Sequence, residues 1–167
     1  MLLAPDYYFE KFDDITPDFL LSIGCKHLMS DVDNTLAPYE TAEPDLRIRS
    51  WLSSLSDAGI TVILVSNNDA ERIELFNRSL GLYAYPNCKK PLRKRLRAVM
   101  DEVGATPEST AFLGDQIYTD VLSARRLGVR TALLVPPIKD KKTLLFRFKR
   151  MMEKPIMRSF FKKHTGK

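Results

Sequence analysis

Ser30-Asp31-Val32-Asp33-Asn34-Thr35-Leu36 is the stretch whose reading decides the fold. The apolar pair Leu28-Met29 precedes it and a pattern unlike a strand follows, so two carboxylates leave the end of a buried strand together. Residues i and i+2 of an extended segment point the same way, which puts the Asp31 and Asp33 side chains on one side of the backbone. Two anions held that close repel, and a cation normally sits beside them. A calcium loop starting at Asp31 is excluded. Its sixth and twelfth positions require Gly and Glu and hold Leu36 and Ala42.

Toward the C-terminus, Leu46, Ile48, Trp51, Leu52 and Leu55 recur at helical spacing between Pro44 and Gly59. Residues 60–65 are a continuous apolar and β-branched run, the pattern of a strand covered on both faces, and the run ends at Ser66-Asn67. A helix (Ile73, Leu75, Phe76, Leu80) and a short strand at Tyr83-Ala84-Tyr85 follow. Pro91 is expected to open a third helix carrying Leu92, Leu96, Val99 and Val103. A strand over 110–113 ends at Gly114-Asp115, then come a helix over 119–127 and a last strand over 130–135. Toward the N-terminus, residues 1–24 read as an extension with a helix between Thr16-Pro17 and Gly24.

Strands alternating with helices through short connections define an α/β domain over residues 25–138. The expected fold class is a Rossmann-like parallel sheet with helices on both faces. Such sheets bind ligands beyond the carboxyl ends of their strands, and Asp31, Asp33, Ser66, Asp115 and Asp120 all fall there. Neither a Gly-x-Gly-x-x-Gly nor a Gly-Lys-Ser/Thr segment occurs, so nucleotide binding by those routes is unsupported. Carboxylates, a hydroxyl and a lysine on one edge suit phosphoryl transfer through an aspartyl-phosphate, because a cation and a lysine offset the charge that repels a carboxylate from a phosphate.

Asp31-Val-Asp-Asn-Thr-Leu, Val65-Ser66-Asn67, Lys89-Lys90-Pro91 and Gly114-Asp115-Gln-Ile-Tyr-Thr-Asp120 resemble, in order and spacing, the four motifs of the haloacid-dehalogenase (HAD) phosphatase superfamily. With its N-terminal extension and its Pro-Pro-Ile end, the chain resembles the YqeG-type branch, akin to phosphatidylglycerophosphate phosphatases. The resemblance implies an HAD-like fold with Asp31 as nucleophile and Asp33 as general acid and later base. Ser66, with Asn67, would bind the phosphoryl oxygens, and Lys90 would neutralise them and orient Asp31. Lys89 is the alternative lysine, although the one directly before proline fits the pattern. Mg2+ would be held by Asp31, the Asp33 carbonyl and Asp115, with Asp120 in contact directly or through water. Only one helix and one strand fit between the first motif and Ser66, so no cap domain is expected.

The net charge of +5 is unevenly spread, since residues 139–167 carry +9 and the first 138 carry −4. Leu144, Leu145, Phe148, Met151 and Met152 fall near one helical face of this basic amphipathic C-terminal tail, with Lys141, Lys142, Lys149 and Arg150 largely elsewhere. Ile156, Met157, Phe160 and Phe161 repeat the theme after Pro155. Such segments lie in membrane interfaces or dock their apolar stripe on the domain, and both readings stand at this point. No run approaches a membrane span or signal peptide, and Cys25 and Cys88 lack a metal-ligand spacing, so the expected location is cytoplasmic, peripheral at the inner face of the membrane if the tail binds lipid. The expected function is a Mg2+-dependent phosphomonoesterase acting on a phospholipid headgroup, phosphatidylglycerophosphate in the first instance. The rivals are a phosphatase of a soluble sugar, nucleotide or phosphoprotein, and a non-catalytic membrane- or RNA-associated assembly factor. Nucleic acid is not the expected partner, because the aromatics form no stacking platform on a sheet.

Overall fold

A computed structural model describes residues 3–139 and 143–164, without the side chains of Leu145 and His164. Lys141 and Lys142, counted with the basic tail, lie outside the described residues. Six parallel strands form one sheet in the order β1-β6-β5-β2-β3-β4: β1 (Tyr7–Tyr8), β2 (His27–Ser30), β3 (Thr61–Val65), β4 (Tyr83–Tyr85), β5 (Thr110–Gly114) and β6 (Thr131–Leu134). The helices are α1 (Pro17–Ser22), α2 (Leu46–Asp57), α3 (Ala70–Asn77), α4 (Arg93–Val103), α5 (Leu122–Leu127) and α6 (Leu144–His164).

The continuous apolar strands resolve into two cores by simple alternation. Leu28, Val62, Leu64, Ala111, Leu113 and Leu133 face α2 and the N-terminal segment. Met29, Ile63, Val65, Phe112, Ala132 and Leu134 face the side packed by α4 and α5. The chain therefore has the expected doubly covered sheet, and no inserted cap occurs among the described residues.

Connections from β2 run outward to β3 and β4, then cross back to β5 and β6 on the other side. That reversal puts β2 between β3 and β5, so the residues that follow these three strands share one crevice. Asp31, just past β2, donates its N–H to the Leu113 carbonyl at 2.9 Å and so continues the ladder into the site.

Residues 1–24, read as an extension, contribute the edge strand β1 on β6. The Asp6 carboxylate fastens that edge by accepting from the Ala132 N–H at 2.7 Å and from Arg125 at 3.0 Å. Two residues carry too little periodicity to be read as a strand from sequence. On the opposite core, Trp51 Nε1 donates to the Ile15 carbonyl at 2.8 Å, tying the same segment to α2.

Helix starts differ from the sequence reading where capping decides them. Helix α2 begins at Leu46, so Pro44 lies before its first turn, and Asp45 caps it by accepting from the Ile48 N–H at 2.8 Å. Pro91 does not open a helix. It follows a cis peptide bond with Lys90, and α4 starts at Arg93. The segment after Asp115 makes a wide turn over Ile117–Val121 before α5, so the helix expected over 119–127 is regular only from Leu122.

Candidate active site

The Asp31 carboxylate is held at both oxygens. Lys90 Nζ donates to Oδ1 at 2.6 Å and Thr35 Oγ1 donates to Oδ2 at 2.9 Å. Thr35 can turn back because Asn34 adopts a left-handed conformation with φ 66°, which Asn tolerates better than most side chains. Lys90 Nζ also donates to Asp120 Oδ1 at 2.8 Å, so one buried ammonium bridges residues that follow β2 and β5. Burial alone would push the Lys90 pKa down, but the Asp120 and Asp31 carboxylates more than reverse this and keep it charged. Lys89 is exposed with a φ of 55°, and Lys90 is the lysine that contacts Asp31 and Asp120.

Asp115 and Asp120 complete a buried group with Asp31, each offering an oxygen within 4.8 Å of the others. Burial, with the Asp120 and Asp31 charges added, raises the Asp115 pKa to about 8. Asp120 is likewise raised, first by burial. Its Oδ2 accepts from the Gln116 N–H at 3.1 Å. Gly114 makes this packing possible, because a Cβ there would lie 2.2 Å from the Asp120 Cγ. Three buried carboxylates with hard oxygen donors and only partial neutralisation fit a divalent cation, which when bound would offset charge on a phosphoryl group.

The Asp33 carboxylate lies outside that triad. It accepts from Arg72 at 3.1 Å, from Asn68 at 3.2 Å and from Ser66 Oγ at 3.4 Å. Burial first, then the Asp31 charge, raises its pKa against the opposing Arg72. A raised carboxyl beside the triad is suited to carry a proton. Ser66 is fixed in turn by the Asn68 N–H, which donates to its Oγ at 3.0 Å. Asn67, expected on the substrate, uses both ends of its amide on the Lys90 backbone, at 2.6 Å to the N–H and 3.0 Å to the carbonyl. It positions Lys90.

Sequence reasoning missed five groups here. Thr35 sits inside the first quoted motif and Asn68 directly follows the second, and their hydroxyl and amide were available signals. Arg72 stands in the first turn of α3, where the Asp69 cap accepts its N–H at 2.9 Å. Arg150 comes from α6, with Nη2 on Asp115 Oδ2 at 2.5 Å and Nη1 on the Asp115 carbonyl at 2.6 Å. Arg150 also pairs at 2.8 Å with the buried Glu153, whose other oxygen accepts the Ile117 N–H at 2.8 Å. Glu153 is a lone acid within a strongly basic helix, which is the sequence signal for an internal partner.

These residues floor an open crevice of about 370 Å³, walled on one side by Tyr39 and on another by Thr143, Phe146 and Lys149 of the C-terminal segment. The family described as haloacid dehalogenase-like hydrolase matches residues 6–128. The protein named "Probable phosphatase YqeG" of Bacillus subtilis is 31% identical over 159 residues, covering 95% of this chain and 92% of that protein. Among solved structures, an uncharacterized protein from Listeria monocytogenes superposes with a TM-score of 0.56 at 15% identity, over 71% of this chain and 84% of that one. The 3-deoxy-D-manno-octulosonate 8-phosphate phosphatase from Yersinia pestis gives 0.51 at 18% identity, over 64% of this chain and 62% of that one. At these identities the two structures speak to the fold alone.

Proposed function

The chain belongs to the haloacid dehalogenase-like hydrolases, it is a phosphoric monoester hydrolase, and from that premise we propose that it is Mg2+-dependent, works through a phosphoryl group on Asp31 and acts on a phospholipid headgroup, that of phosphatidylglycerophosphate. The observation that carries the chemistry is the buried Asp31, Asp115 and Asp120 group bridged by Lys90. Asp31 attacks phosphorus through a carboxylate oxygen, while Lys90 and Thr35 orient the carboxylate. The bond from phosphorus to the ester oxygen breaks, and Asp33 gives that oxygen its proton. A water then attacks the phosphoryl group on Asp31, Asp33 takes the water's proton, and phosphate leaves with Asp31 restored. Ser66 donates to a phosphoryl oxygen throughout. Asp31, Asp115 and the Asp33 carbonyl, with Asp120, would hold Mg2+, which would supply the charge that a dianionic phosphate requires.

Two features favour a lipid substrate. The crevice is open, which suits a phosphate displayed on a large body, and α6 faces outward with an unusual surface. Its Leu144, Phe148, Met151 and Met152 are exposed, by 83, 55, 55 and 46%. The exposed Lys154, Arg158 and Lys162 share that outer face. Basic helices with exposed apolar residues lie at bilayer interfaces, and each cation near an anionic surface adds about 1 kcal/mol. Among the described residues no helix is long and apolar enough to cross a membrane.

The test is Mg2+-dependent phosphate release from phosphatidylglycerophosphate in mixed micelles, wild type against Asp31→Ala. Release by the wild type alone is the expected result. Cleavage of a soluble aryl phosphate without cleavage of the lipid would keep the chemistry and reject the lipid.

A further inference from the structure

Two cations line the crevice among the described residues, and their situations differ. Lys90 is fully engaged with Asp31 and Asp120 at the floor. Lys149 stands half-buried on the α6 wall and forms no ion pair with any described residue. It is the residue next to Arg150, which grips Asp115, and it lies three residues beyond Phe146, whose ring is 4.9 Å beneath the Arg150 guanidinium. The helix is therefore pinned at the very point from which Lys149 projects.

The remaining charge in the crevice is negative, from Asp31, Asp33 and Asp120. A substrate whose body is also anionic would be repelled from this lining unless a cation stood where the body rests. We propose that Lys149 is a specificity-determining residue that recognises a second anionic group on the substrate, one that lies outside the phosphoryl group bound at the floor. The inference rests on the reading of this crevice as a phosphomonoester site, and it narrows the substrate class to phosphomonoesters carrying a further negative charge. A lysine suits that task, because its flexible stem places a point charge without demanding one bidentate geometry.

The experiment is calorimetric binding to full-length Asp31→Asn protein with Mg2+, using phenyl phosphate and glycerol 1,3-bisphosphate as probes. The expected preference for the bisphosphate is about tenfold, equivalent to about 1.4 kcal/mol. Adding Lys149→Gln should bring the ratio near one and Lys149→Arg should keep most of it. Arg147→Gln, which removes the same charge from the exposed side of α6, should leave the ratio intact. A ratio that Lys149→Gln does not change, or the absence of any preference in the parent protein, would overturn the proposal. Because binding is read without turnover, a wild type that released no phosphate would count against the catalytic reading alone.

Discussion

Helices α4 and α6 are both basic and amphipathic, yet they meet the domain in opposite ways. Helix α4 buries Leu96, Val99 and Met100 and sends its cations outward. There Arg95 donates to the Pro86 carbonyl at 3.1 Å and Arg97 to the Leu127 carbonyl at 2.6 Å. Helix α6 buries Phe146 and Phe160, but its central anchors are the charged Arg150 and Glu153, while much of its apolar surface stays outside. The difference lies in what each helix covers. The sheet face under α4 is apolar, whereas α6 crosses the edge where three carboxylates are concentrated, and a guanidinium fork is the better partner there. An amphipathic pattern alone therefore identifies two faces without saying which one is inside.

The sharpest way to break the contrast is to remove the apolar anchor of α4. Leu96→Ala should lower the unfolding free energy by about 3 kcal/mol in denaturant titrations, through a cavity in a fully buried position. Arg150→Gln is the corresponding lesion in α6. It leaves Glu153 and one oxygen of Asp115 without their charged partner and should cost about 2 kcal/mol. The loss should also appear as protease cleavage within residues 143–164 at concentrations that leave the wild type intact. If α6 were held by its apolar stripe instead, Arg150→Gln would be nearly silent.

Phe148→Ser combined with Met151→Ser addresses the outer face of α6. Both residues are more than half exposed, so stability should change by less than about 0.5 kcal/mol, while sedimentation with anionic vesicles should fall several-fold. The smallest effect is expected where an ion pair is exposed. Arg47 pairs with Asp13, and its hydrogen bond lowers the Asp13 pKa. Because the folded pKa is the lower one, the pair stabilises the protein above the unfolded Asp range near about 4 and loses its contribution as pH falls through the folded value. Arg47→Gln should cost a few tenths of a kcal/mol at neutral pH, about what exposed pairs give. The difference from wild type should vanish in acid.

The parallel sheet and the strand-end positions of Asp31, Asp33, Ser66 and Asp115 were legible because they follow apolar runs, and the topology rule converts strand ends into one crevice. Lys90 was marked by the motif resemblance, which also set the spacing that singles out Asp120. What could not be read depends on contacts that have no local pattern. Arg72 meets Asp33 across 39 residues and Arg150 meets Asp115 across 35. Of the two open readings of the tail, the structure bears on docking alone. The helix does dock, through Arg150, Glu153 and Phe160, and the stripe of Leu144, Phe148, Met151 and Met152 remains outside. Helix α6 also runs through Pro155 without a break.

Helix α6 walls the crevice in which the proposed chemistry centres on Asp31, and that carboxylate can be interrogated directly. Wild-type protein incubated with phosphatidylglycerophosphate and Mg2+ should be quenched in acid, digested and mapped by mass. One phosphoryl group is expected on the peptide containing Asp31, absent from Asp31→Asn and absent without the metal. A phosphoryl group on another residue, or undiminished phosphate release by Asp31→Asn, would contradict that expectation.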